Sequence, residues 1–94
     1  MKELEHSKPV LKPVTFELKG FDNATEVYVT GSFNDWSPHA LKMEYKGGKW
    51  IATAETETGK LSYKFIVDGN WITDPANKQV EKDGPNTNSV KMIE

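Results

Sequence analysis

The chain contains no cysteine, every one of its basic residues is lysine, and its histidines are two. Each scarcity removes a class of protein. Without cysteine there is neither a disulfide framework nor a zinc–thiolate staple, and the usual clue to redox compartment goes with them. Without arginine, the planar forks that read phosphates and guanine edges are missing, and the formal net charge is −2. Nucleic acid is therefore not an expected partner. His6 and His39 stand far apart with no further histidine at ligand spacing, so both read as solvated side chains, and no metal or cofactor is expected. Long apolar runs are absent too. The opening MKELEHSKP is charged and resembles neither a signal peptide nor a membrane anchor. The chain reads as soluble and unexported, hence cytoplasmic, with no membrane partner.

What is present is aromatic and strand-like. A length of 94 residues makes one domain with a single modest core, of the size that buries about 60–70% of its unfolded surface. Trp36, Trp50 and Trp71, with three tyrosines and four phenylalanines, supply large apolar groups, more than such a core requires. Residues 1–9 read as a solvated tail and 10–94 as the folded domain, beginning near Pro9 or Pro13. Val14, Phe16 and Leu18 alternate with Thr15 and Glu17, giving a first strand closed by Gly20. After a turn at Asp22-Asn23-Ala24, a second alternation runs from Glu26 to Phe33, with Val27, Val29 and Phe33 on one parity, until Asn34-Asp35 breaks it. Trp36 follows the break. Leu41, Met43 and Tyr45 start a third strand, which Lys46-Gly47-Gly48-Lys49 turns into a fourth from Trp50, a core residue, to about Ala54. Residues 55–60 are polar and read as a connection. Turn formers at Asp83-Gly84-Pro85-Asn86 deliver a last strand in which Val90 and Met92 face inward, the other parity being Ser89 and Ile93. No stretch carries a capped helical period, and the evenly punctuated short strands indicate an all-β fold, a small antiparallel sandwich.

The most informative stretch is LSYKFIVDGNWITDP at 61–75. Tyr63, Phe65 and Val67 form one face, and Asp68-Gly69 is a strong two-residue hairpin signal. That turn sets Val67 against Asn70, Ile66 against Trp71, Phe65 against Ile72 and Lys64 against Thr73. Ile72 then joins the core face, while Trp71 is sent outward with Lys64 and Ile66. Trp71 and Lys64 become diagonal neighbours, roughly 7–8 Å apart.

Catalytic readings lack parts. The serines have no elbow motif and no base, and the glycines form no phosphate loop. Asp68 and Asp74 have ordinary turn roles, and Asn23-Ala24-Thr25 reads as a turn rather than a glycosylation site. The aromatic and lysine set is better suited to a sugar: an indole stacks on the C–H face of a hexose, while Lys64 and the amides of Asn86 and Asn88 can serve its hydroxyl rim. Pattern alone is equally met by Trp71 as a rim residue covering the sandwich end and Trp36 as a plug under its own loop, and it favours Lys64 as a solvated face lysine.

EVYVTGSFNDW at 26–36, YKFIVDGNWITDP at 63–75 and NSV at 88–90 together resemble family forty-eight carbohydrate-binding modules, over roughly Thr15 to Ile93. The same motifs are similar to those of the glycogen-binding domain of the AMP-activated protein kinase beta subunit. The resemblance implies an immunoglobulin-like, early-set β-sandwich without catalysis that binds alpha-1,4-linked glucans: glycogen, starch, maltooligosaccharides or cyclodextrin. It makes Trp36 and Trp71 the stacking platforms and Lys64 a hydroxyl donor. In the late loop, the family's apolar, threonine and asparagine positions fall on Asp83, Pro85 and Thr87, with Asn86 or Asn88 as substitutes, so Asn86, Thr87 and Asn88 complete the expected carbohydrate site. A kinase or a glucan-active enzyme is the implied protein partner. The reading from another class is a structural or protein-interaction module of the same fold with little sugar affinity.

Overall fold

The computed structural model describes residues 10–94; the expected tail over 1–9, with His6, lies outside the described residues. Among the described residues, eight strands form two antiparallel sheets. Strand β1 (Leu11–Leu18) pairs with β4 (Lys49–Glu57), which also pairs with β3 (Glu44–Lys46). The second sheet orders β2 (Val27–Gly31), β5 (Gly59–Val67), β8 (Asn86–Ile93) and β7 (Val80–Asp83), with β6 (Asn70–Ile72) attached to β5. The result is an all-β sandwich whose core is made by the alternating apolar faces of both sheets.

The core follows the period-two pattern. Val14, Phe16 and Leu18 from β1, Val27 and Val29 from β2, Trp50 and Ala52 from β4, and Leu61, Tyr63, Phe65 and Val67 from β5 are all buried. The aromatics meet in a chain: Phe16 lies 5.4 Å from Phe33 and 5.3 Å from Tyr63, and Tyr63 lies 5.9 Å from Phe65. Trp50 is in the core as expected, and its indole N–H donates to the Phe21 carbonyl at 2.9 Å, which ties down the 21–24 loop.

Five details depart from the sequence reading. The β2 alternation does not reach Phe33: it stops at Gly31, and Ser32–Asn34 form a single 3-10 turn that still seats Phe33 on Phe16. Gly31 is where the strand crowds β5; a Cβ there would overlap the Ser62 carbonyl oxygen and approach Tyr63 Cα to 2.9 Å. The third strand divides its pairing between the sheets. Lys42 bridges to Tyr28 of β2, and only Glu44–Lys46 pair with β4. Residues 55–60 are mostly strand rather than connection, because β4 continues to Glu57 with Thr56 buried and β5 starts at Gly59. In β8 the inward parity is Ser89 and Ile93, not Val90 and Met92: Met92 is 66% exposed, and Ser89, opposite Tyr63, is fully enclosed. A buried serine is tolerated because its Oγ accepts the Asp74 amide at 2.8 Å. Finally, Ile66 faces away from the core and is nonetheless buried, being flanked on that face by Tyr28 and Trp71.

Candidate functional site

Two strands laid end to end build the site. One edge of β5 pairs with β8 from Gly59 to Tyr63 and with β6 from Phe65 to Val67. The Asp68-Gly69 turn produces the expected register, Val67 with Asn70, Ile66 with Trp71 and Phe65 with Ile72, the two turn residues both adopting positive φ. The ladder ends before Thr73. Lys64 therefore sits at the junction, with Trp71 diagonal to it on β6 and Asn88 abreast of it on β8, all on the outer face. Trp71 is 46% exposed there.

Trp36 arrives from the opposite flank of β5. Gly31 at the end of β2 pairs with Tyr63, and the chain then folds back so that the Trp36 amide donates to the Gly31 carbonyl at 2.9 Å. Asn34 holds that turn: its Oδ1 accepts from the Gly31 amide at 3.1 Å and from the Thr30 hydroxyl at 3.2 Å. Asp35 and Trp36 both lie in the left-handed region, at φ 56° and 58°. For a bulky side chain this conformation costs roughly 1–2 kcal/mol, and such strain gathers where a side chain must be presented in one direction.

A hydrogen-bonded cluster locks the far end of β6 to β8. The Tyr63 hydroxyl donates to Asp74 Oδ2 at 2.7 Å and accepts from Asn77 Nδ2 at 3.1 Å, and Asn77 also donates to the Val90 carbonyl at 3.0 Å. Burial, and then the bond to Asp74, push the Tyr63 hydroxyl well above its ordinary value. At the other end, Asp68 Oδ1 accepts the Thr25 and Glu26 amides at 2.9 and 2.8 Å, so it braces the neighbouring loop as well as its own turn.

These elements surround an outer-face cleft of about 540 Å³ lined by Trp36, Lys64, Trp71, Asp83, Asn86 and Asn88. Two indoles, one ammonium, two carboxamides and one carboxylate thus converge on one opening of the size and mixed character of ligand sites. Five of the six expected site residues are brought together. The sixth, Thr87, alternates to the other side of β8 and does not line the cleft; nor does Pro85, in the turn. Sequence reasoning missed β7, whose four residues are all exposed and carry no alternating apolar signal, and with it the position of Asp83. The available signal was the turn: a two-residue Gly84-Pro85 hairpin pairs Asp83 with Asn86 and sends both to one face. His39 stands against Tyr28, edge to face at 4.9 Å, outside the cleft. Among the described residues, no group of three or more histidine, cysteine or acidic side chains is arranged to hold a metal, and no helix is long and apolar enough to cross a membrane.

Known proteins share this architecture or resemble the chain in sequence. Over 90% of the chain the fold matches part of a crystallised maltogenic amylase from S. marinus, with a TM-score of 0.74 at 18% identity, covering 14% of that chain. In sequence, the pig 5'-AMP-activated protein kinase subunit beta-1 is 32% identical over 82 residues, 87% of this chain and 64% of that sequence. The human subunit beta-2 is 32% identical over 75 residues, 79% of this chain and 27% of that subunit. Protein PTST homolog 2, chloroplastic, from Arabidopsis thaliana is 31% identical over 88 residues, 93% of this chain and 16% of that protein. The chain thus spans less than two thirds of the length of these relatives. A family model describing the glycogen recognition site of AMP-activated protein kinase matches residues 12–94. The chain belongs to that family of glycogen-recognition, carbohydrate-binding modules.

Proposed function

We propose that the chain binds alpha-1,4-linked glucans without transforming them, by stacking glucosyl rings on Trp36 and Trp71 while Lys64, Asn86 and Asn88 serve the hydroxyl rim. The supporting observation is the convergence of both indoles and these polar groups on one outer-face cleft from four separate segments of chain. Family membership gives the ligand class; the residue roles are inferred from chemistry. Indole faces suit the C–H face of a pyranose, and the cleft's donors and acceptors suit its rim. Catalysis is not part of the proposal. Glycoside hydrolysis generally uses two carboxyl groups about 5–9.5 Å apart, and among the described residues Asp83 is the one carboxylate lining the cleft.

Affinity should be modest. Covering a few hundred Å² of indole is worth roughly 5 kcal/mol, with each of a handful of hydrogen bonds adding about 1. Association costs of about 4–15 kcal/mol oppose this, leaving a Kd between about 1 mM and 1 μM. Such a module works by avidity, on a polymer offering many sites or as a tether for a joined activity. A kinase or a glucan-active enzyme fits that tether, in keeping with the kinase subunits and the amylase that the chain resembles. The cytoplasm is the compartment assigned here, although one relative is named as chloroplastic. Calorimetry and tryptophan fluorescence with maltoheptaose, beta-cyclodextrin and glycogen test the proposal. Saturable binding is expected, and no saturable change at millimolar sugar would refute it.

A further inference from the structure

The chain holds two Asp-Gly steps, Asp68-Gly69 and Asp83-Gly84, each at a two-residue hairpin turn of the sheet that carries the cleft. Such a step is chemically weak, because the side-chain carboxyl lies one ring closure from the next backbone nitrogen and glycine has no side chain to shield that nitrogen. The fold treats the two differently. Asp68 is itself a turn residue at φ 48°; its Oδ1 accepts the Thr25 and Glu26 amides at 2.9 and 2.8 Å, and its own amide donates to the Glu26 carbonyl at 2.9 Å. Rotating that carboxyl onto the Gly69 nitrogen would leave two amides without their acceptor. Asp83 carries no such restraint. Among the described residues no hydrogen bond or ion pair engages its side chain, the segment 80–86 is exposed throughout, and Gly84, at φ 64°, has open space where a side chain would stand. The Gly84 amide, first in its loop, has no ladder partner. Strand β7 is four residues long, pairs only with β8 and forms the sheet edge, so local opening there costs little.

We propose that Asp83 is a site of spontaneous isoaspartate formation, and that this change uncouples the β7–β8 turn from the cleft. The Gly84 nitrogen, giving up its proton, attacks Cγ of the protonated Asp83 carboxyl; an N–Cγ bond forms and one water leaves, closing a five-membered succinimide. Water then adds back at either ring carbonyl. Breaking the new N–Cγ bond restores aspartate, whereas breaking the original peptide bond leaves the chain running through Cβ and Cγ with the α-carboxylate as the side group. The water lost is the water regained, so no oxidant, reductant or other reactant is consumed and the mass is unchanged. The product carries one extra backbone carbon between residues 83 and 84. A two-residue loop cannot then close with the same pairing, so the Asp83–Asn86 register is lost and the Asn86 carboxamide leaves its place in the cleft lining. The isomerisation is independent of the glucan reading of the cleft, and its effect on binding rests on that reading.

The test ages the folded chain, the same chain in concentrated urea and an Asp83→Glu variant side by side near neutral pH. Peptides carrying residues 68 and 83 are then separated, and isoaspartate is identified by electron-transfer fragmentation. In the folded chain Asp83 should convert about tenfold or more faster than Asp68, whose two side-chain bonds must open first. In urea the two sites should convert at similar rates, and Asp83→Glu should form no isomer at 83, because glutamate would need a six-membered ring. Asp68 converting as fast as Asp83 in the folded chain, or Asp83 converting only in urea, would overturn the proposal. The aged chain, enriched in the isomer, should bind maltoheptaose about three- to tenfold more weakly than the fresh chain, the worth of one lost hydrogen bond, whereas Asp83→Glu should bind after ageing as it did before. Unchanged affinity in a converted chain would overturn the effect on the cleft. If the fresh chain binds no maltoheptaose, the glucan reading falls together with that effect, and the peptide ratio still decides the isomerisation.

Discussion

Replacing Trp71 by alanine separates a binding platform from a packing residue. The indole is 46% exposed, and a tryptophan offers up to roughly 250 Å², so on the order of 115 Å² of it remains open to a ligand. At about 25 cal/mol per Å², covering all of that surface is worth close to 3 kcal/mol, and covering one face of the ring about half as much. The variant should therefore bind maltoheptaose about 10- to 100-fold more weakly, which for a site of millimolar to micromolar strength puts it near the limit of calorimetry. The buried remainder of the ring flanks Ile66, so a stability loss of about 1–2 kcal/mol is expected, less than the 3–5 typical of a fully buried tryptophan. Calorimetry and urea denaturation of the same preparation measure the two effects, and Trp71→Phe should recover part of both. A folded Trp71→Ala protein that binds maltoheptaose within threefold of the unmodified chain would refute the platform reading. Intact sugar binding with loss of a protein partner would favour the interaction module instead.

Three further outcomes follow from particular contacts. Trp36→Gly should lower glucan affinity at least tenfold yet stay within about 1 kcal/mol in stability, because relief of the positive φ offsets lost packing; a denaturation midpoint that collapses would show that the ring is chiefly a plug. Gly31→Ala should destabilise by about 1–3 kcal/mol or more and weaken binding, since a Cβ overlaps the Ser62 carbonyl; unchanged thermal unfolding would contradict that close approach. Tyr63 is protonated in the fold with its hydroxyl raised above the ordinary value near 10, so its share of stability is complete below about pH 10 and is lost as pH rises beyond it. Unfolding free energy measured from pH 8 to 11 should bend downward above pH 10, by up to about 1.4 kcal/mol per unit from this group. In Tyr63→Phe that part of the bend should vanish, at a cost of about 1–3 kcal/mol from the partners left at Asp74 and Asn77. An identical pH profile in both proteins would refute the role of this hydroxyl.

Much of the fold was legible wherever side chains alternate strictly. The β1 pattern at Val14, Phe16 and Leu18 and the central pattern at Tyr63, Phe65 and Val67 matched the buried faces, and Asp68-Gly69 set the hairpin register to the residue. Errors arose where a neighbour overrode the local pattern. Crowding against Ser62 and Tyr63 ended β2 at Gly31 before Phe33 could continue it. Pairing of Ser89 with Tyr63, and the Asp74 amide waiting for its hydroxyl, chose the polar parity of β8 over the apolar one. The β7 strand was invisible because an exposed edge needs no apolar alternation.

The sequence by itself determined a small antiparallel sandwich, the outward turn of Trp71 beside Lys64, and a family resemblance with glucan as its implied ligand. These follow from period-two alternation, one strong turn dipeptide and motifs at characteristic spacing, all of them local. Only the tertiary structure decided that Trp36 joins Trp71, and that Asn86 and Asn88 line the cleft with Asp83 while Thr87 does not. The reason is that β6 and β8 share one edge of β5 and the Trp36 turn closes on the other. Such pairings between distant segments leave no periodic trace in the chain, because each depends on which backbone edge remains free once the core has packed.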